Sequence, residues 1–138
     1  MAKICDFGLC HLIDPEKQLA HMKCLVGTED YQAPEMCEDA FISTAVDIWA
    51  YGIVLYEMAV GYHPKKIKHL QLPKLTEKIP YFKKHWIGKD PNLIDLIKRC
   101  LQTEPSDRIS AEEALTHPYF LHDDEIDESD VSHQEDQS

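Results

Sequence analysis

The residues able to do chemistry stand in short, separated runs. Asp6-Phe7-Gly8 comes first, and Ala33-Pro34-Glu35 follows twenty-five residues after it. Gly27-Thr28-Glu29-Asp30-Tyr31-Gln32 leads into that second run, and Asp47-Ile48-Trp49-Ala50-Tyr51-Gly52 comes after it. Pro105-Ser106-Asp107-Arg108-Ile109 lies near the end. Singly these are weak signals: Asp6 alone is a turn residue before a glycine, and Arg108 alone is a solvated loop charge. The five cysteines, Cys5, Cys10, Cys24, Cys37 and Cys100, include no CxxC pair and are odd in number. They read as reduced thiols of a cytosolic or nuclear protein. A zinc site needs clustered ligands, which this spacing does not supply. Residues 65–89 hold eight lysines and one acid, Glu77. That stretch is either a solvated lysine surface or a patch that docks an acidic partner.

In order and spacing, the runs resemble the second half of a eukaryotic protein kinase domain, from the DFG motif to the end of the large lobe. The resemblance covers residues 3–121 and rests on five motifs. The form Gly27-Thr28-x-x-Tyr31-x-Ala33-Pro34-Glu35 is more similar to serine/threonine kinases than to tyrosine kinases. The resemblance implies a mainly α fold, part of a kinase large lobe, with an activation segment followed by helices around a central buried helix. It also implies ATP and Mg²⁺ as cofactors of the full-length kinase, and a protein substrate.

Roles follow from the resemblance residue by residue. Asp6 would hold Mg²⁺ that bridges the nucleotide phosphates. A carboxylate suits this because Mg²⁺ takes oxygen ligands. Phe7 would report active or inactive arrangements by its packing, and Gly8 would permit a backbone reversal that a side chain hinders. Thr28 would line the site for the substrate residue just after the phosphoacceptor, with Tyr31 beneath it. Glu35 would pair with Arg108, whose planar fork can meet a carboxylate bidentately. Asp47 would reach back to backbone N–H groups of the catalytic loop. Locally, Asp47 is the third residue after Thr44 in a capping-box pattern. Trp49 and Tyr51 read as core packing inside an apolar helix.

Residues 9–35 would be the activation segment. Between Gly8 and Thr28 there is no Ser, Thr or Tyr. The expectation is a kinase that is not switched by loop phosphorylation upstream of Thr28. Asp14 and Glu16 are solvated loop residues or a fixed negative charge in its place.

The elements that must position these groups are legible. Ala2 to Cys5 reads as a short strand. Thr44 to Val60 is almost continuously apolar, broken by Asp47, Gly52 and Glu57. A helix apolar on nearly every side must be enclosed by other elements or by lipid. A membrane span needs about 20 apolar residues with few charges, so an enclosed core helix is the better reading. Ser43 or Thr44 would cap it, and Gly61 and Pro64 would end it. A short helix is expected near Pro73–Ile79, with a turn at Pro80 and with Tyr81, Phe82 and Trp86 as core anchors. Asp90-Pro91 marks the start of a helix to about Gln102. Its apolar stripe is Leu93, Ile94, Ile97, Cys100 and Leu101. Ser110-x-x-Glu113 is a capping box for a last short helix, ending at His117-Pro118, with Tyr119 and Phe120 sealing the domain.

The net charge of −11 is uneven. Residues 122–138 carry eight acids and no Lys or Arg, which leaves −3 over residues 1–121. The chain therefore divides into a partial kinase domain, 1–121, and an acidic tail, 122–138, expected to be disordered. Such a balance lacks the basic footprint of a nucleic-acid binder. Ser132-x-x-Glu135 matches a site for an acid-directed kinase.

Within these residues there is no Gly-rich loop, no strand lysine with its glutamate and no HRD-type catalytic loop. Positioning and charge stabilisation supply nearly all of kinase catalysis. The expectation is a chain inactive by itself, with little or no ATP or Mg²⁺ binding, low stability and exposed apolar surface. Three functions fit. The chain is the C-terminal part of an active serine/threonine kinase, a non-catalytic scaffold or competitor made from a kinase lobe, or a remnant of a kinase gene.

Overall fold

A computed structural model describes residues 3–23, 26–37, 39–64 and 83–121. Among these residues helices dominate, with one two-stranded sheet. The expected helix near Pro73–Ile79, the turn at Pro80, the anchors Tyr81 and Phe82, most of the lysine stretch and the acidic tail lie outside the described residues.

Helix α1 spans Ala45–Val60 and is the hub. Its end follows from Gly61, which takes a left-handed conformation at φ 88° and donates its N–H to the Glu57 carbonyl. Glycine takes that conformation without a Cβ clash. Its start differs from the capping-box expectation. Thr44 sits in helical conformation and its side chain caps nothing. Instead the Ser43 hydroxyl accepts from the Ala45 N–H at 3.3 Å. A side chain caps only from the residue whose backbone is still extended, and Thr44 has already entered the helical turn.

Helix α2, Pro91–Cys100, packs along α1. Asp90 caps it by accepting from the Asn92 N–H at 2.7 Å. Leu96, Ile97, Cys100 and Leu101 are buried, so Leu96 joins the stripe read from sequence. Gly52 makes the close approach. A Cβ there would stand 2.7 Å from the Cys100 Cβ and 2.8 Å from the Leu101 Cδ2. Helix α3, Ala111–Leu115, carries a complete capping box. The Ser110 hydroxyl accepts from the Glu113 N–H, and the Glu113 carboxylate accepts from the Ser110 N–H.

Strands β1, Ala20–Met22, and β2, Ala40–Ile42, pair antiparallel. Ala20, Met22 and Ile42 turn inward as a small second core. His21 and Phe41 stack on the outer face at 4.8 Å. Lys3 to Cys5 forms no strand; an isolated extended segment gains nothing without a partner edge.

Two expectations about packing need correction. Tyr51 is exposed rather than packed in the core, beside Val54 and Met58, the last at 77%. Spaced three and four apart, these form one uncovered stripe on α1. Phe120 is also exposed, so it does not seal the C-terminal turn. Trp49, Ile53 and Tyr56 point the other way and are buried, with Trp86 edge-on to Tyr56 at 5.3 Å.

Candidate functional site

Two neighbouring features bring the chemistry-bearing residues together. The first is a cavity of about 600 Å³ between the N-terminal segment, the small sheet and the first turns of α1. Asp6, Phe7, Cys10, Thr44 and Asp47 lie on its wall. Asp6 is exposed and holds a left-handed φ of 64°, a conformation that Asp tolerates better than most residues. Gly8 was the residue expected to reverse the chain, yet its φ is not positive. A Cβ on Gly8 would sit 3.5 Å from the Asp6 carboxylate, ordinary contact. The reversal therefore belongs to Asp6, followed by a turn closed by the Cys10 N–H on the Phe7 carbonyl. Asp47 is exposed and lines the same cavity.

Asp6 is one carboxylate at an open wall. No cluster of three His, Cys, Asp or Glu suited to a metal exists among the described residues. A single carboxylate fits a share of a Mg²⁺–nucleotide complex, because Mg²⁺ keeps waters and phosphates as its other ligands. It does not fit a protein-only metal site.

The second feature is the segment from Thr28 to Glu35, fastened to the helices. Thr28 is exposed and precedes a 3₁₀ turn, Glu29–Tyr31. Tyr31 donates its hydroxyl to the Glu57 carboxylate on α1 at 2.8 Å. That bond, ahead of burial, raises the Tyr31 phenol above its usual range. At the far end, Glu35 meets Arg108 in a two-pronged contact, Nη1 to Oε1 at 2.7 Å and Nη2 to Oε2 at 2.9 Å. Arg108 also donates to the Gln102, Thr103 and Ala45 carbonyls. All five guanidinium N–H groups are thus used, and the side chain is 0% exposed. Its Cζ lies 5.2 Å from the Trp49 ring centroid, within cation–π range. Trp49 and Gly52 serve this arrangement from α1, one by packing on the guanidinium and the other by letting α2 approach.

Asp14 closes the upstream part of the segment locally. Its carboxylate accepts from the Glu16 and Lys17 N–H groups at 2.9 and 3.2 Å. The backbone then pairs Asp14 with Leu19. This carboxylate organises its own turn, a third role beside the two read from sequence.

Sequence reading passed over several partners. Glu57 stood out only as a break in an apolar run, although a carboxylate there signals a fixed donor nearby. His63, buried beside Pro64, gave no signal. Nor did His117, buried and set on Asp95 at 3.1 Å.

Comparison with known proteins places this chain in a family. A sequence model of the protein kinase domain matches residues 1–120. Calcium/calmodulin-dependent protein kinase cmkB of Emericella nidulans is 35% identical over 121 residues, covering 85% of this chain and 30% of the relative. Serine/threonine-protein kinase 17A of Oryctolagus cuniculus is 32% identical, covering 86% of this chain and 30% of the relative. The liver/testis phosphorylase b kinase gamma catalytic chain of Bos taurus is 33% identical with the same coverage. The chain therefore spans under a third of the length of these relatives. With a family match over most of its length and serine/threonine kinases among its relatives, this chain belongs to the protein kinase domain family.

Proposed function

We propose that residues 1–121 form the substrate-side part of a serine/threonine kinase large lobe, which works in ATP-dependent phosphoryl transfer to protein. The observation that carries this reading is the fastening of Thr28–Glu35. A segment that leaves Thr28 exposed is fixed at one end by Glu57 and at the other by the fully bonded Arg108. Such fixing is what a peptide-docking ledge requires, since misplacement by about 1 Å can cost a hundredfold in rate. Asp6 would hold Mg²⁺ at the cavity wall, where the bound ion neutralises phosphate charge. Asp47, which lines the same cavity, would face the catalytic loop of the whole kinase. These residues would position and dock, and the catalytic loop of the whole kinase would move the proton of the substrate hydroxyl.

A second reading is favoured by the uncovered stripe Tyr51, Val54 and Met58. In a non-catalytic module that stripe would meet a partner protein. One experiment separates the two. The native polypeptide is captured with an antibody to residues 122–138, sized, and assayed for phosphoryl transfer to Ser/Thr peptides with ATP and Mg²⁺. The kinase reading expects transfer that falls at least about a hundredfold in the Asp6→Ala form. A native polypeptide near 16 kDa that transfers nothing leaves the binding module.

A further inference from the structure

The Thr28–Tyr31 turn has a fastening that neither the motifs nor the family assignment explains. Within the turn, the Tyr31 N–H bonds the Thr28 carbonyl and the Gln32 N–H bonds the Glu29 carbonyl. The Asp30 carbonyl is left over by this pattern. His63 takes it: Nε2 stands 3.0 Å away. A carbonyl only accepts, so Nε2 carries the hydrogen. His63 is 2% exposed, and its ring meets the Tyr31 ring edge-on at 5.5 Å. It reaches the turn because Gly61, left-handed at φ 88°, redirects the chain as α1 ends. The fully buried Pro64 then fixes its backbone. One helix end thus supplies two contacts to one turn, Glu57 to the Tyr31 hydroxyl and His63 to the Asp30 carbonyl.

We infer that His63 is a positioning residue for the protein substrate: it sets the height of the turn that carries Thr28, and so governs docking of the peptide rather than of the nucleotide. This rests on the kinase reading above. Peptide-binding ledges gain from preorganisation, since every rotamer or backbone freedom left in the free ledge is lost on docking. His63 removes that freedom in advance.

The test compares His63→Phe, which keeps ring volume and the contact to Tyr31 but lacks the donor, with His63→Gln, whose amide N–H can replace it. Hydrogen exchange is read at residues 28–32 and along α1 in this chain. Peptide and ATP KM values are read in the native polypeptide. His63→Phe is expected to speed exchange at residues 28–32 about fivefold to tenfold, while α1 stays protected. Peptide KM should rise by a similar factor, with ATP KM unchanged, and His63→Gln should restore both. If His63→Phe loses α1 protection altogether, His63→Met replaces it with the same expected readings. Unchanged exchange at 28–32 overturns the fastening. Faster exchange with unchanged peptide KM overturns the positioning role and leaves the kinase reading intact. A wild-type polypeptide that transfers no phosphoryl group overturns the kinase reading and, with it, the substrate role of His63.

Discussion

Arg108 shows what a single side chain contributes here. It is buried, pairs with Glu35 and gives its remaining N–H groups to three backbone carbonyls. Arg108→Ala leaves Glu35 without its two-pronged partner and takes a donor from each of those carbonyls, and a broken buried pair costs about 3–5 kcal/mol. Urea denaturation should register that loss. Arg108→Lys should recover little of it, since an ammonium cannot reproduce the planar fork. Cysteines give a second prediction at this scale. Burial pushes the Cys100 thiol up to about 11, whereas Cys5, Cys10 and Cys37 are exposed. Iodoacetamide at neutral pH should label those three and spare Cys100 until the chain unfolds, as peptide mass spectrometry would show. The pairing of Glu35 with Arg108 was legible only because flanking motifs carried it. The conformation of Asp6 was not, because a positive φ in a non-glycine residue depends on what surrounds it.

Helix α1 and its neighbours were the most legible elements. Apolar density marked the helix, Gly61 its end, and Asp90 and Ser110 the caps of the next two. The capping box at Thr44 failed because local spacing does not reveal which residue first turns helical. Contact between α1 and α2 rests on Gly52, and Gly52→Ala should cost about 1–3 kcal/mol by overpacking against Cys100 and Leu101. A shift in urea midpoint with an unchanged slope would report it. Two carboxylates tie α2 and α3 to pH. Asp95 is held below its ordinary value, first by the His117 hydrogen bond and then by Arg99, and Glu113 by the Ser110 amide and hydroxyl. Both shifts are depressions, so their stabilisation is present above the ordinary carboxylate range and is lost as pH falls through it. The urea midpoint should drop below about pH 4, and Asp95→Asn with Glu113→Gln should flatten that drop.

At the scale of the whole molecule, apolar surface left open is the main feature. Tyr51, Val54 and Met58 line one side of α1, and Ile4, Leu9 and Leu12 are exposed in the N-terminal segment. Sequence reading expected exposed apolar surface, but it could not say which residues would face outward. That choice is set by where α2 packs. An open stripe predicts weak stability and self-association for the chain made alone. Its thermal midpoint should lie below about 60 °C, within or beneath the range of mesophilic domains. Val54→Lys with Met58→Glu should shift sedimentation toward the monomer. A cooperative transition above 60 °C, or sedimentation unaffected by both changes, would count against this.

The bond between Glu35 and Arg108 joins positions 73 residues apart. During synthesis at about 5–20 residues per second, Glu35 exists for roughly 4–15 s before its partner is made. Over that interval the nascent segment has its charge in water and no anchor to the last turns. Ribosome-bound chains arrested ahead of Arg108 should be cut by protease within residues 28–35. Chains arrested well past it should resist, so the Thr28–Glu35 segment is fastened only after Arg108 has been made.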